Sequence, residues 1–400
     1  MTTRRWTRRE VLGLLAAGTL VAAGGGDVLA GGGERRAVPL TASSDLVAGH
    51  TSISNAPSRV PPSAPLIPAE AVPGTGRPPQ FVVVSFDGSA DDDLLTHWRH
   101  LATATGARFT FFLSGTYLLL RANAARYQAP RHGAGVSDIG FFPVPHGMDP
   151  AEELTALVRH LGDAYLEGHE VGTHYNGHFC GRSLRAVGAW GAEDWRSELD
   201  QFDSFLDDVG ANNGLAGLRF PFASATVIGG RTPCLEGDFT ILYPELAGRG
   251  FRYDASASAI EGTWPTRRLG LWSFPLHAIP LAGRRMRVLS MDYNLYFNQT
   301  GARPAPADQV PAIRAQALKT YRDYFAASYT GSRAPISIGH HFTRWNGGAY
   351  VDALTTLVTE MATTPEVQLV TYRTLCDWLD ARAPEELAAF ARGTWRTSVP

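Results

Sequence analysis

His174 and His178 stand four residues apart in Gly168-His169-Glu170-Val171-Gly172-Thr173-His174-Tyr175-Asn176-Gly177-His178. A helical turn or tight loop at that spacing puts both imidazoles on one side, where they could hold a divalent metal. Imidazole pairs suit zinc, cobalt, nickel or iron. Two surface histidines in a Gly-rich loop would leave the same letters, so spacing alone does not decide. His169 reads as a residue leading into a strand, not as a ligand. A second reactive type closes the segment Ser85-Phe86-Asp87-Gly88. A carboxylate at the C-terminal end of a buried parallel strand sits where barrel active sites are built, as a metal ligand or a general base. Asp-Gly is also a common turn pair, and a turn-capping Asp is the alternative.

Such residues need elements to position them. Phe81-Val82-Val83-Val84 is a continuous apolar run, as in a strand buried on both faces of a parallel sheet. Further strands are predicted near 108–113, 169–173, 226–231, 251–254, 286–291, 335–340 and 367–370. Helices are predicted near 91–105, 151–167, 194–209, 239–249, 308–328, 350–362 and 372–381. This alternation argues for a parallel α/β fold in a single domain, with seven or eight strands pointing to a barrel and not an open sheet.

The ends of the chain read differently. Arg4, Arg5, Arg8 and Arg9 precede the apolar stretch Val11–Ala23, and Val28-Leu29-Ala30 supplies small residues for cleavage. Thr7-Arg8-Arg9-Glu10-Val11-Leu12 resembles a twin-arginine export signal. Residues 1–30 are therefore expected to be an export signal, which places the protein outside the cell or at the cell wall. The apolar run is short and Gly-rich for a membrane anchor, and no stable membrane span is expected. Residues 31–79 are rich in Gly, Ala, Ser and Pro and read as a linker. The net charge is −2 for the chain and −4 without its first 30 residues, which argues against a nucleic-acid partner.

The chain resembles the polysaccharide deacetylases, the family-four carbohydrate esterases, in particular their chitin deacetylase-like branch. The resemblance runs from about Gln80 to Asp380. Its first motif matches Ser85-Phe86-Asp87-Gly88-Ser89, and its His-x-x-x-His motif matches His174 to His178. For the Arg-x-Pro motif there are two candidates, Arg219-Phe220-Pro221 and Arg231-Thr232-Pro233. Only the second is followed at the expected distance by Gly250-Phe251-Arg252-Tyr253-Asp254, so Arg231 is preferred. Gly270-Leu271-Trp272-Ser273-Phe274-Pro275 matches the tryptophan-bearing motif, and Ala334 to Phe342 matches the strand that ends in a catalytic His. Counting from Ala334-Pro335 favours His341 over His340.

The resemblance implies a distorted parallel (β/α) barrel of about seven strands over 80–383, followed by a short tail at 384–400. It implies a metal-dependent deacetylase acting on N- or O-acetyl groups of a polysaccharide or oligosaccharide. Asp87 would be the general base, His341 the general acid, and Arg231 the residue positioning Asp87. His174, His178 and Asp87 would bind a divalent metal, zinc first and cobalt or nickel after it. Trp272, Tyr175 and Pro233 would contact substrate. One departure stands out: Gly88 occupies the position where the family places a second Asp, the third metal ligand. Three arrangements could make up for it: Asp87 moves into the ligand role, one of Asp91, Asp92 and Asp93 reaches back, or two histidines and waters hold the ion. Two other functions are compatible with the residues. One is a catalytically silent carbohydrate-binding barrel with Tyr175, Trp190, Trp195, Trp272 and Trp345 in its cleft; the other is a hydrolase of non-peptide C–N bonds in small molecules. Of the three cysteines, Cys180 and Cys234 each lie just after a motif and are the candidate disulfide pair. Two buried free thiols are the alternative.

Overall fold

The computed structural model describes residues 76–145 and 147–397. The expected export signal and nearly all of the expected linker lie outside the described residues. Hydrogen-bonded strands run in the order Arg287–Leu289, Leu271–Pro280, Tyr253–Ile260, Gly229–Gly230, Glu170–Thr173, Thr110–Leu113, Gln80–Gly88 and Ile336–His341. All neighbours on this path are parallel except the first pair. Val367–Leu369 adds to the lower half of Gln80–Gly88, and Thr266–Arg268 pairs with Leu271–Pro280. The fold is thus the expected distorted parallel α/β barrel, with more strands than seven and with a ladder that does not close. Its two ends meet at a single bridge, Met291 to Gly339, where the Gly339 N–H donates to Ser290 O over 2.9 Å.

The continuous apolar run predicted at 81–84 is buried throughout, as a strand covered on both faces requires. Helices Asp92–Thr105, Pro150–Leu166, Ala192–Asp207, Val310–Ala327 and Trp345–Ala362 line the outside with their apolar faces. Asp91 and Asp149 cap the first two by accepting N–H bonds from Leu94 and from Ala151 and Glu152.

Three elements depart from the sequence reading. Leu271–Pro280 is a long strand, although Pro275 within it argues against one. It is accommodated because the partner strand shifts register between Asp254 and Ala257, opposite Pro275. Asp292–Thr300 is a helix where none was predicted. Pro384–Arg392, expected in the tail, is also a helix, and Phe390 stacks on Trp264 and Trp378. Among the described residues no helix is long and apolar enough to cross a membrane.

Candidate active site

Strand register brings the reactive residues together. Asp87 and His341 are partners across the parallel pair Gln80–Gly88 and Ile336–His341, so their side chains leave the sheet on the same side. Thr173 is the partner of Gly230, which makes the following residues, His174 and Arg231, neighbours at the same end. Asp87, His174, His178 and His341 all line one cavity of about 720 Å³ at the C-terminal ends of the strands.

Arg231 is fully buried, and its Nη1 donates to Asp87 Oδ1 over 2.9 Å. Its Nε donates to Ala255 O, its Nη2 to the Tyr372 hydroxyl, and its guanidinium lies over the Phe112 ring. Gly339 leaves room for this group: a Cβ there would lie 3.3 Å from Arg231 Nη1 and 2.7 Å from Met291 Cε. Burial pushes the Asp87 carboxyl up, but the charges of Arg231, His174 and His341 outweigh it and hold Asp87 below its ordinary value. Asp87 is therefore ionised at neutral pH. Arg219, the rejected alternative, has no part in the cavity lining.

His174 Nδ1 donates to Arg231 O over 2.8 Å, which leaves Nε2 with its lone pair. Its ring lies 5.0 Å from that of His178. Burial lowers both imidazoles, His178 to about 3, so both are neutral and able to ligate. The loop between them is held from behind. Glu198, buried in the Ala192–Asp207 helix, accepts the Asn176 N–H at 2.8 Å, the Gly177 N–H at 3.3 Å and the Tyr127 hydroxyl at 2.8 Å.

His341 is paired with Asp292, the first residue of the unpredicted helix. The His341 Nδ1 donates to Asp292 Oδ1 over 2.7 Å and its backbone N–H to Oδ2 over 2.9 Å. Burial lowers the imidazole, but Asp292 and then Asp87 outweigh it and raise His341 above its ordinary value. His340 is fully buried, bonded to the Tyr321 hydroxyl, and pushed down to about 4. Asp292 went unrecognised in the sequence although it follows a strand as Asp87 ends one, here a strand antiparallel to its neighbour. A carboxylate there directly follows a predicted strand.

The residues expected to contact substrate are not among those lining this cavity. Trp272 begins its strand at the opposite end of the barrel, where its indole donates to Asp380 and Arg267 covers its ring. Tyr175 is fully buried against Trp195. Pro233 is buried and absent from the cavity lining. Trp190 and Trp195 are buried as well. Large aromatic side chains here were drawn into the core by their apolar area. Trp345 alone of the five is partly exposed, with its ring 5.3 Å from that of His341.

Asp87, His174 and His178 do not form a ready-made metal triad. Among the described residues, the one group of three whose ligand atoms lie within 4.8 Å of one another is His178, Cys180 and Cys234. The two cysteines are joined in a disulfide, the pairing expected, so they offer no thiolate. Of the acidic residues considered for reaching back, Asp91 caps its helix and Asp92 pairs with His160. The remaining donor set fits a divalent ion through two neutral imidazoles. Ser114 Oγ, fully buried in the cavity wall without a hydrogen-bond partner, is one further oxygen left unsatisfied there, and Thr343 Oγ1 is another. Gly88 lines the same wall at φ +89°, and a Cβ would meet only Tyr117 Cε2 at 3.6 Å. Gly88→Asp should therefore fit, cost about 1–2 kcal/mol of backbone strain, and bind zinc at least about tenfold more tightly. Calorimetric zinc titration of both proteins checks this, and unchanged affinity would show that the position does not face the ion.

No protein-family model matches the chain, and no curated protein does. Several solved structures are similar to it. A proposed polysaccharide deacetylase from Mycobacterium smegmatis is 15% identical, with 75% of this chain and 90% of that chain covered and a TM-score of 0.44. A family-four carbohydrate esterase from Streptomyces lividans, solved with acetate, is 14% identical over 72% of this chain and 91% of its own, at 0.33. A Streptococcus mutans CE4 esterase is 12% identical over 72% and 83%, at 0.37.

Proposed function

We propose that this chain is a metal-dependent acyl hydrolase of the polysaccharide deacetylase type, removing N- or O-acetyl groups from an extracellular polysaccharide or oligosaccharide. The observation that carries the reading is the opposition, in one cavity, of an ionised Asp87 and a His341 raised by Asp292. That is a base and an acid with their proton affinities pushed apart, as hydrolysis needs. His174 and His178 would hold the ion, which when bound polarises the acyl carbonyl and lowers the pKa of water. Asp87 takes the proton of the attacking water. Arg231 keeps that carboxylate ionised and fixes its direction. His341 delivers a proton from Nε2 to the leaving amine or alcohol, its tautomer set by Asp292 at Nδ1.

Acetate release from acetylated chito-oligosaccharides and peptidoglycan fragments tests the reading. Release should need added zinc or cobalt and stop with a chelator. Protein that binds zinc yet frees no acetate from any of them would favour the silent barrel. A second acyl hydrolase reading, on small molecules, is favoured by one observation: Ile139, Phe142, Val144, Met148 and Leu157 are among the residues that line the cavity. Faster turnover of small acyl amides than of oligosaccharides would select it.

Export completes the proposal, on the residues of the first segment alone. Arg8→Lys with Arg9→Lys should keep the protein inside the cell, read by fractionation of the two forms. Equal secretion would remove the twin-arginine route.

A further inference from the structure

The Cys180–Cys234 disulfide joins the two segments that carry the site's ligand and clamp. Cys180 follows His178 by two residues, and Cys234 follows Arg231 by three. His178 Nδ1 lies 3.5 Å from Cys180 Sγ. With that nitrogen against sulfur, the ring's other nitrogen is the one left to serve the cavity, which His178 also lines. The three potential ligand atoms lie within 4.8 Å of one another. Two thiolates and an imidazole form a soft donor set that zinc-class ions prefer, and three protein ligands leave one position for water.

We propose that Cys180, Cys234 and His178 form a second metal site, for a zinc-class ion, that exists only when the disulfide is reduced. The segments would stay in place without the S–S bond because other contacts hold them. Glu236 Oε2 accepts the Gly181 N–H at 2.8 Å, tying the residue after Cys180 to the segment of Cys234. The Val187 N–H donates to Phe179 O, and the Arg231 N–H donates to Thr173 O. The Thr232 N–H donates to Ser256 Oγ at 2.8 Å. Glu198 holds the backbone at Asn176 and Gly177. Reduction by a phosphine breaks the S–S bond: the phosphine gives two electrons and takes oxygen from water, and the water's two protons end on the two thiols. Metal binding then releases those protons. The ion would draw His178 away from the cavity, a consequence that rests on the hydrolase reading, whereas the site itself does not.

Cobalt(II) added to the full chain, before and after phosphine reduction, tests the site through the sulfur-to-cobalt charge-transfer band. The band should be absent from the oxidised protein and present after reduction. It should disappear in Cys180→Ser with Cys234→Ser, persist in Cys376→Ser, and need at least about tenfold more cobalt in reduced His178→Ala. Cys376 is the third cysteine, buried in a separate apolar cluster, and serves as the control. A reduced native protein without the band overturns the proposal, as does a band that survives the double substitution. Acetate release by the oxidised zinc-loaded protein is measured separately, so failure of the hydrolase reading leaves the spectroscopic result standing on its own.

Discussion

Asp87→Asn should lower acetate release by about 10²–10⁴-fold, since it removes the cavity carboxylate that Arg231 holds ionised beside His341. It should also destabilise the fold. Asp87 and Arg231 are both buried, with side chains 3% and 0% exposed. Removing one partner leaves a buried guanidinium without its counter-charge, at a cost of about 3–5 kcal/mol. Denaturant unfolding at neutral pH measures that loss. The pH dependence gives a second reading of the same pair. Asp87 has a folded pKa below its ordinary value, so its stabilisation is present above the unfolded pKa and is lost as pH falls through the folded one. The stability gap between the native protein and Asp87→Asn should therefore narrow in acid. A variant as stable as the native protein would mean that the bonds Arg231 already makes to Tyr372 and Ala255 O suffice to hold it. Full acetate release from the variant would place the base elsewhere.

Much of this site was legible because strand ends are legible. A buried apolar run ending in a reactive residue gives both the element and the direction in which its last side chain points. Asp87 and His341 follow that pattern, and Arg231 was separable from Arg219 by the strand that comes after it. The missing part has two physical causes. Asp292 lies beyond a short strand and begins a helix whose sequence, Asp292–Thr300, has no clear apolar stripe to announce it. The aromatics are a different case. Residue type does not reveal whether a large ring faces a cleft or the core, and Tyr175, Trp190, Trp195 and Trp272 all went inward. The gap left by Gly88 was visible in the letters. What surrounds it, an unsatisfied Ser114 hydroxyl and an open wall, depends on strand packing that no local pattern encodes.

Asp292→Asn separates a structural pairing from an acid-tuning one. Four influences act on His341: burial, which lowers it, Asp292 and Asp87, which raise it, and Arg231, which lowers it. Asparagine is close to isosteric and can still accept a hydrogen bond through its amide oxygen, but it carries no charge. Burial is then opposed chiefly by Asp87, and the imidazole must fall. The alkaline limb of kcat/KM reports the acid in the free enzyme, so it should move to lower pH in Asp292→Asn. The rate at the optimum should drop by about 10²–10⁴-fold, as when the carboxylate behind a catalytic imidazole is neutralised. His341→Ala should lose that limb altogether. If Asp292→Asn lowers the rate but leaves the limb where it was, Asp292 acts by orienting the ring alone. If neither variant alters the profile, the proton comes from another group, and of the cavity-lining histidines only His174 and His178 remain, both lowered by burial and suited to ligate instead.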